Sequence, residues 1–152
     1  MSLSQLQQTM ATLRMSLAEM QNKERQLDSM ISQFRTQLRR LPRQVIYGRT
    51  SLDVSLSSMG EIEERLEDAL ATKRRLLEII KTATDELMAL DSVRQVDEAR
   101  KTLANLKRQV RLIGETEESM AEIRRLAQFI AEHSKRAEAA ITASYEERHQ
   151  GG

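Results

Sequence analysis

The first 41 residues carry an unbroken apolar repeat whose spacings alternate between three and four residues. Eleven of its twelve positions are apolar, and Glu24 is the exception. The repeat consists of Leu3, Leu6, Met10, Leu13, Leu17, Met20, Glu24, Leu27, Ile31, Phe34, Leu38 and Leu41. Such a stripe is the seam of a coiled coil and needs a partner helix, because it would otherwise face water. The sequence therefore predicts a helix over 3–41, ended by Pro42, which removes a backbone donor and clashes with the preceding turn.

The segment 42–58 is predicted to be either an irregular loop or a small β-hairpin between helices. Residues 45–47 read Val-Ile-Tyr, which are strand-forming types, and Gly48 offers a turn. Beyond it, Leu52, Val54 and Leu56 alternate with Asp53 and Ser55. This two-residue period is that of a short strand, although a loop that leads into a helix is the simpler interpretation.

The apolar spacing resumes at Met59 and predicts helices over 59–91 and 93–146. Asp91 and Ser92 are good helix-capping residues, so we expect a tight turn there. A single bent helix over 59–146 is the alternative, because no Gly or Pro enforces that turn. The helix–helix seam is predicted to use Leu6, Leu13, Leu17, Leu27, Ile31, Phe34, Leu66, Leu76, Ile80, Leu87, Leu103, Leu106, Val110 and Ile113.

Composition agrees with long helices and excludes most other fold classes. One Pro and 5 Gly cannot supply the turns of an all-β fold, and 3% aromatic residues cannot fill the core of a sandwich or an α/β enzyme. The predicted fold is thus all-α, an elongated antiparallel three-helix bundle or coiled coil. At 152 residues it is expected to be one domain over 1–150 with a short tail at 151–152.

Folding the first two predicted helices about residue 48 places Glu24 opposite Lys73. Each is the charged member of an otherwise apolar seam. A carboxylate and an ammonium that are partly removed from water need each other, because either alone has an uncompensated desolvation cost. A buried ion pair between Glu24 and Lys73 is therefore predicted, either within one chain or as a polar register device between two.

The charge pattern is the main functional signal. Five arginines and no acidic residue lie between Asp28 and Asp53, and the stretch 53–68 holds six acidic residues against Arg65. The two blocks are either structural, so that they neutralise each other across the fold or simply keep the tip solvated, or they form a basic tip that meets an anionic partner. In the second case the partner-binding residues are Arg35, Arg39, Arg40, Arg43, Tyr47 and Arg49.

Patterns that carry catalytic or cofactor chemistry were not found. The glycines are too scattered for a phosphate loop, and the chain has no cysteine. His133 and His149 are the two histidines, and neither has a second histidine three or four residues away. We therefore expect that this protein is not an enzyme and has no catalytic residue, cofactor, metal or small-molecule substrate.

The sequence favours a non-enzymatic coiled-coil structural or adaptor protein. It would bind other proteins through its helical faces and self-associate, most simply as a dimer, because long seams leave surface for a second chain. The alternative is a binding module that docks its arginine-rich segment 35–49 on a membrane, a polyanion or an acidic protein. The start of the chain has no secretory signal pattern and no stretch is long and apolar enough to span a membrane, so a cytoplasmic location is expected.

Overall fold

In a computed structural model the described residues form an all-α fold of three long helices, and 94% of them are helical. The structure describes the backbone of residues 2–150 and the side chains of residues 2–143, so the predicted tail at 151–152 lies outside it. Helix α1 spans Leu3–Ile46, α2 spans Leu52–Ile113 and α3 spans Glu117–Gln150, and no strand occurs among the residues described. The predicted all-α class with three long helices is confirmed.

Each helix begins after a side-chain oxygen that accepts a hydrogen bond from the first turn. Ser2 Oγ accepts from the Gln5 N–H at 3.2 Å, and Gln5 Oε1 accepts from the Ser2 N–H at 3.1 Å. Ser51 Oγ and Thr116 Oγ1 each accept from the backbone N–H three residues later, at 3.3 and 3.1 Å. These N-caps satisfy donors that have no partner inside the helix, and so they fix where the three helices start.

Glycines follow the ends of the first two helices. Gly48 and Gly114 have φ angles of 71° and 107°, in the left-handed region that side chains with a Cβ rarely adopt. The Gly114 N–H donates to the Val110 carbonyl at 3.0 Å, and the Gly48 N–H donates to the Val45 carbonyl at 3.0 Å. Both turns therefore depend on the conformational freedom of glycine.

Helix α1 runs through Pro42 to Ile46, so the predicted end at residue 41 is wrong. Proline removes one backbone donor, but its own carbonyl still accepts, and α1 continues for only four residues beyond it. The predicted loop or hairpin over 42–58 is also corrected, since the connection covers only 47–51. The cap at Ser51 lets α2 begin earlier than the apolar spacing indicates.

The predicted turn at Asp91 and Ser92 is absent, because α2 is continuous there. Both side chains are engaged along the helix instead of capping a new one. Asp91 Oδ1 accepts from Arg94 Nε at 2.9 Å, and Ser92 Oγ donates to the carbonyl four residues earlier at 3.2 Å.

The chain turns at residues 114–116 instead, between α2 and α3. This corrects the predicted helices over 59–91 and 93–146, and also the alternative of a single helix over 59–146. Gly114 supplies the conformation that ends α2, and Thr116 supplies the cap that begins α3. Gly114 lies inside the predicted helix over 93–146, whereas in the structure it ends a helix.

The fold divides into two compact units, and both α1 and α2 run through each of them. Unit 2 comprises residues 15–83, where α1 and α2 lie antiparallel on either side of the 47–51 connection. Leu27, Ile31 and Ala69 form its buried cluster. The partly buried side chains that pack against this cluster are Phe34, Leu66, Leu70 and Leu76.

Unit 1 comprises residues 1–14 together with 84–152, and so it contains segments of all three helices. Leu6, Met10 and Leu90 form its buried cluster, with the partly buried Leu13, Leu87 and Val93 packed against it. Further buried apolar residues are Val96, Ala99, Leu126 and Ala137. Unit 1 is therefore a three-helix core, whereas unit 2 pairs two helices.

The predicted seam residues differ in burial. Leu6, Leu17, Leu27 and Ile31 are buried, whereas Ile113 is 83% exposed because α2 ends there, which departs from its predicted place in the seam. The half-buried members are Leu13, Phe34, Leu66, Leu76, Ile80, Leu87, Leu103, Leu106 and Val110.

Candidate functional site

The arginine-rich segment 35–49 occupies the end of α1 and part of the connection after it, within unit 2. Four of its arginines are on the last turns of α1, and Arg49 is in the 47–51 connection. All the predicted partner-binding residues are exposed. They are Arg35, Arg39, Arg40, Arg43, Tyr47 and Arg49.

These five guanidinium groups have no direct ionic partner in the described part of the chain. Within residues 2–143, none lies within 4.0 Å of a carboxylate oxygen. The acidic stretch 53–68 therefore does not pair with them directly, although direct neutralisation was one of the two interpretations of the charge pattern. The arginine charges remain available to a partner.

Three of the arginines converge on one groove at the end of the helical hairpin. The turn brings Arg49 back onto α1, because the Arg49 N–H donates to the Gln44 carbonyl at 2.8 Å. Arg40, Arg43, Gln44, Tyr47 and Arg49 line a groove of about 310 Å³. Guanidinium groups and a phenol hydroxyl can donate hydrogen bonds to an oxyanion such as a phosphate. We call residues 40–56 the hairpin tip.

Arg35 and Arg39 belong to a different surface. They line an open groove of about 670 Å³ together with Lys73, Asp28 and Ser32. Its apolar members are Ile31, Leu38 and Leu70. The structure thus divides the predicted set into two sites, with Arg40, Arg43 and Arg49 at the hairpin tip and the other two arginines further along α1.

Lys73 bonds Asp28 instead of the predicted Glu24. The Lys73 Nζ donates to the Asp28 Oδ1 at 2.5 Å, and the two side chains are 30% and 49% exposed. Asp28 and Lys73 are symmetric about residues 50 and 51, whereas the prediction folded the chain about residue 48. The lysine therefore meets a carboxylate that lies four residues, or about one helical turn, further along α1 than Glu24. The pair is therefore neither the predicted one nor buried.

The hairpin tip also exposes large apolar side chains, which the sequence interpretation did not identify as part of a site. Thirteen large apolar residues are exposed in the described chain, and five of them lie within residues 46–56. This concentration marks the hairpin tip as the main apolar surface. The five are Ile46, Tyr47, Leu52, Val54 and Leu56.

The first turn of α2 buries a polar side chain and exposes apolar ones, which is the reverse of the usual arrangement in a core helix. Ser55 is 1% exposed, whereas its neighbours Val54 and Leu56 are more than half exposed. The Ser55 Oγ has no hydrogen-bond partner among the described residues. The alternation of Leu52, Val54 and Leu56 could have indicated this arrangement, because residues two apart on a helix point to nearly opposite sides.

The remaining charged contacts lie in unit 1 and connect neighbours on the same helix. A side-chain hydrogen bond with Asp91, followed by the charges of Asp91 and Glu98, raises the pKa of Arg94. The hydrogen bond from Arg125 lowers the pKa of Glu122, and the same contact raises the pKa of Arg125. These pairs support the helices, as pairs three or four residues apart do.

His133 is half-buried and packs against Phe129, with ring centroids 4.4 Å apart. Among the described residues, no group of three or more His, Cys, Asp or Glu side chains is placed to hold a metal ion. Within the same residues, no helix is both long and apolar enough to cross a membrane.

No protein-family model, curated protein or solved structure matches this chain. The assignment of a function therefore depends on the geometry and charge of the hairpin tip.

Proposed function

We propose that this protein is a non-enzymatic helical adaptor that docks on an anionic partner surface through its hairpin tip. The observation that carries the proposal is the set of exposed arginines without a carboxylate at ion-pair distance in the described chain. Arg40, Arg43 and Arg49 on one groove supply the contacts.

The physical basis is the state of these guanidinium groups before and after docking. In the free protein they are surrounded by water and mobile counterions, because no acidic side chain of residues 2–143 forms an ion pair with them. An anionic surface replaces those counterions with fixed charges, which favours association and makes it sensitive to ionic strength. Arg is also suited to oxyanions because its planar group can donate two parallel hydrogen bonds.

The adaptor part of the proposal follows from the architecture. Long helices place the hairpin tip at the end of a two-helix segment in unit 2, and unit 1 has its own core. The helical faces that remain are available to other proteins. We include a cytoplasmic location in the proposal, since a chain without cysteine needs no oxidising compartment.

The test is charge reversal at the hairpin tip with a matched control in unit 1. The variant carries Arg40→Glu, Arg43→Glu and Arg49→Glu, and the control carries Lys107→Glu, Arg108→Glu and Arg111→Glu. Both change the net charge from +1 to −5, because each replacement lowers it by two. The measurement is binding to heparin and to anionic vesicles at two ionic strengths.

The tip variant is expected to lose binding by roughly 100-fold, since each basic side chain contributes about 1 kcal/mol at an anionic surface. The control is expected to retain most of it. Equal losses in the two variants, or no binding of the wild type to either surface, would contradict the proposal.

A second candidate function is self-association as a homo-oligomer, most simply a dimer. The observation that favours it is the apolar side chains left open on two sides of α2 within unit 2, where Leu77 and Ile79 are 41% and 53% exposed. A second copy would bury such side chains. Light scattering at micromolar concentration is expected to give the mass of a dimer, and Leu77→Glu with Ile79→Glu is expected to give a monomer. A monomeric wild type would remove this candidate.

A further inference from the structure

We infer that the anionic surface recognised by the hairpin tip is a lipid bilayer that contains acidic phospholipids, into which the tip inserts its apolar side chains. This inference rests on the proposed function and names its partner. It is carried by the coincidence of exposed apolar residues and unpaired arginines within residues 40–56.

The apolar side chains are the first part of the argument. Ile46 and Tyr47 are each 76% exposed, and Leu52, Val54 and Leu56 are 56% to 59% exposed. Contact with a polyanion would leave these apolar side chains in water, so they would contribute nothing to the free energy of binding. The interface of a bilayer removes them from water and so adds a favourable contribution to the charge attraction.

The directions of these side chains favour a fluid partner over a protein groove. Residues two apart on a helix differ by about 200° around its axis, so Leu52 and Val54 point to nearly opposite sides of α2. A groove on a protein reads apolar residues three and four apart along one face. A bilayer that surrounds the end of the hairpin accepts side chains that point in several directions.

The order of charges along the hairpin fits insertion by its end. Arg43 and Arg40 lie three and six residues before Ile46, which is about 4.5 and 9 Å along the helix axis. Glu61, the first glutamate of α2, lies nine residues after Leu52, or about 14 Å along its axis. When the apolar side chains enter the boundary between headgroups and acyl chains, the arginines reach the phosphates and most carboxylates stay in water.

Tyr47 and the groove complete the site. Tyrosine suits the interface of a bilayer, because its ring is apolar and its hydroxyl stays hydrated. It lines the groove of about 310 Å³ with Arg40, Arg43 and Arg49, which can receive the phosphate of one lipid headgroup. Asp53 is the acidic residue in the hairpin tip, so the tip carries two more positive charges than negative ones.

The test uses the full chain and a pair of matched apolar variants. The tip variant carries Ile46→Ser and Leu52→Ser, which leave the residues of the groove unchanged, and the control carries Leu112→Ser and Ile113→Ser. Each removes two exposed apolar side chains, which are 76% and 59% exposed at the tip and 85% and 83% exposed in the control. Binding is measured by vesicle sedimentation with phosphatidylcholine alone, with about 30% phosphatidylserine added, and, for comparison, with heparin. Circular dichroism checks that helix content is unchanged.

The wild type is expected to bind the phosphatidylserine vesicles. The tip variant is expected to bind these vesicles at least about 10-fold more weakly and to bind heparin as the wild type does. The control is expected to match the wild type. Binding of the wild type to heparin without binding to vesicles, or equal vesicle binding by wild type and tip variant, overturns the lipid inference and leaves the proposed function intact. A loss of vesicle binding in the control as large as that in the tip variant also overturns the lipid inference. If the wild type binds neither vesicles nor heparin, the lipid inference and the proposed function are both overturned.

A fluorescent reporter measures insertion directly. The chain has no tryptophan, so Tyr47→Trp introduces a single one at the hairpin tip, and Ile113→Trp does so in unit 1. Phosphatidylserine vesicles are expected to shift the emission of the tip reporter to shorter wavelength and to leave the other unchanged. An unshifted tip reporter in a vesicle-bound protein overturns insertion.

Discussion

Helices α1 and α2 contribute to both units, but α3 belongs to unit 1 alone. In unit 1 the third helix gives α2 another neighbour, and Leu90 and Val96 are 0% and 2% exposed. Unit 2 contains segments of α1 and α2 only, and there Leu77 and Ile79 remain 41% and 53% exposed. The width of an apolar stripe therefore indicates how many neighbouring helices a helix can pack against, but the number that it packs against depends on the fold.

The two units also place their ion pairs differently. In the described chain, the Asp28–Lys73 pair of unit 2 joins two helices across 45 residues of sequence. The pairs of unit 1, such as Arg94–Asp91 and Lys101–Asp97, join residues three or four apart on one helix. Charge contributes to helix pairing in unit 2, whereas unit 1 relies on its apolar core for that purpose.

Truncation of one core leucine in each unit should give the largest contrast. Leu90→Ala is expected to lower the free energy of unfolding by about 4 kcal/mol, because Leu90 is 0% exposed and a unit that contains segments of three helices has little freedom to collapse around the cavity. Leu27→Ala should cost about 2 kcal/mol, since a two-helix site can collapse or admit water more easily. Urea unfolding followed by circular dichroism measures both. Equal losses would show that the third helix adds no support.

Glycine substitutions at the two turns should differ less in their effect on the free energy of unfolding than the two leucine truncations do. Gly114, with φ at 107°, lies further from the conformation that other residues tolerate than Gly48, with φ at 71°. Gly114→Ala is expected to cost about 2 kcal/mol and Gly48→Ala about 1 kcal/mol. A Cβ at either position meets no atom within 4 Å, so the cost is purely conformational.

Gly60→Ala is the control for these two glycines. It lies inside α2, its Cβ would also meet no atom within 4 Å, and its replacement should stabilise the fold by about 0.5–1 kcal/mol. Thermal unfolding ranks the three variants. A stabilising Gly114→Ala would contradict the assigned turn.

Removal of the interhelical ion pair should have a smaller effect. Lys73→Met and Asp28→Asn are each expected to cost about 1 kcal/mol or less, since both side chains are partly exposed. A double-mutant cycle isolates the coupling between them. Glu24→Gln in the same cycle with Lys73→Met should show no coupling, and a coupling there as large as with Asp28 would restore the pair predicted from the sequence.

The smallest effect concerns the pH dependence of one carboxylate in unit 1. The hydrogen bond from Arg125 lowers the pKa of Glu122 below its ordinary value of 4.5. Because the pKa is lower in the folded state, the stabilisation is present above pH 4.5 and is lost as the pH falls through the lowered pKa. Side-chain NMR titration should find the pKa of Glu122 below its ordinary value, and Arg125→Ala should return the pKa of Glu122 toward that value. An unchanged titration in that variant would contradict the cause given.

The seam of α1 could be predicted because its signal is repeated along the helix. Eleven apolar positions at helical spacing admit one interpretation, and single substitutions such as Glu24 do not erase it. The helix ends depend on single residues and were therefore harder to predict. Pro42 usually ends a helix, but here α1 continues for one more turn, and Ser51 starts α2 before the regular spacing resumes.

The candidate site was predicted in part. Charge counting finds the arginines, because acidic residues are absent from a long stretch around them. It does not find the apolar half, since Leu52, Val54 and Leu56 have the period of a strand. Their exposure follows only from the helix that contains them. A period of two inside a helix is itself a signal that one neighbour cannot cover every apolar side chain.

The contact of Leu6 and Met10 with Leu90 has a consequence for synthesis of the chain. Leu90 follows Leu6 by 84 positions in the sequence. At the usual pace of about 5–20 residues per second, a ribosome needs about 4–17 s to add that stretch. The two-helix hairpin around residues 47–51 can close during this interval, whereas the first turns of α1 must wait with their apolar side uncovered. The first turns of α1 are thus synthesised well before the residues that bury them.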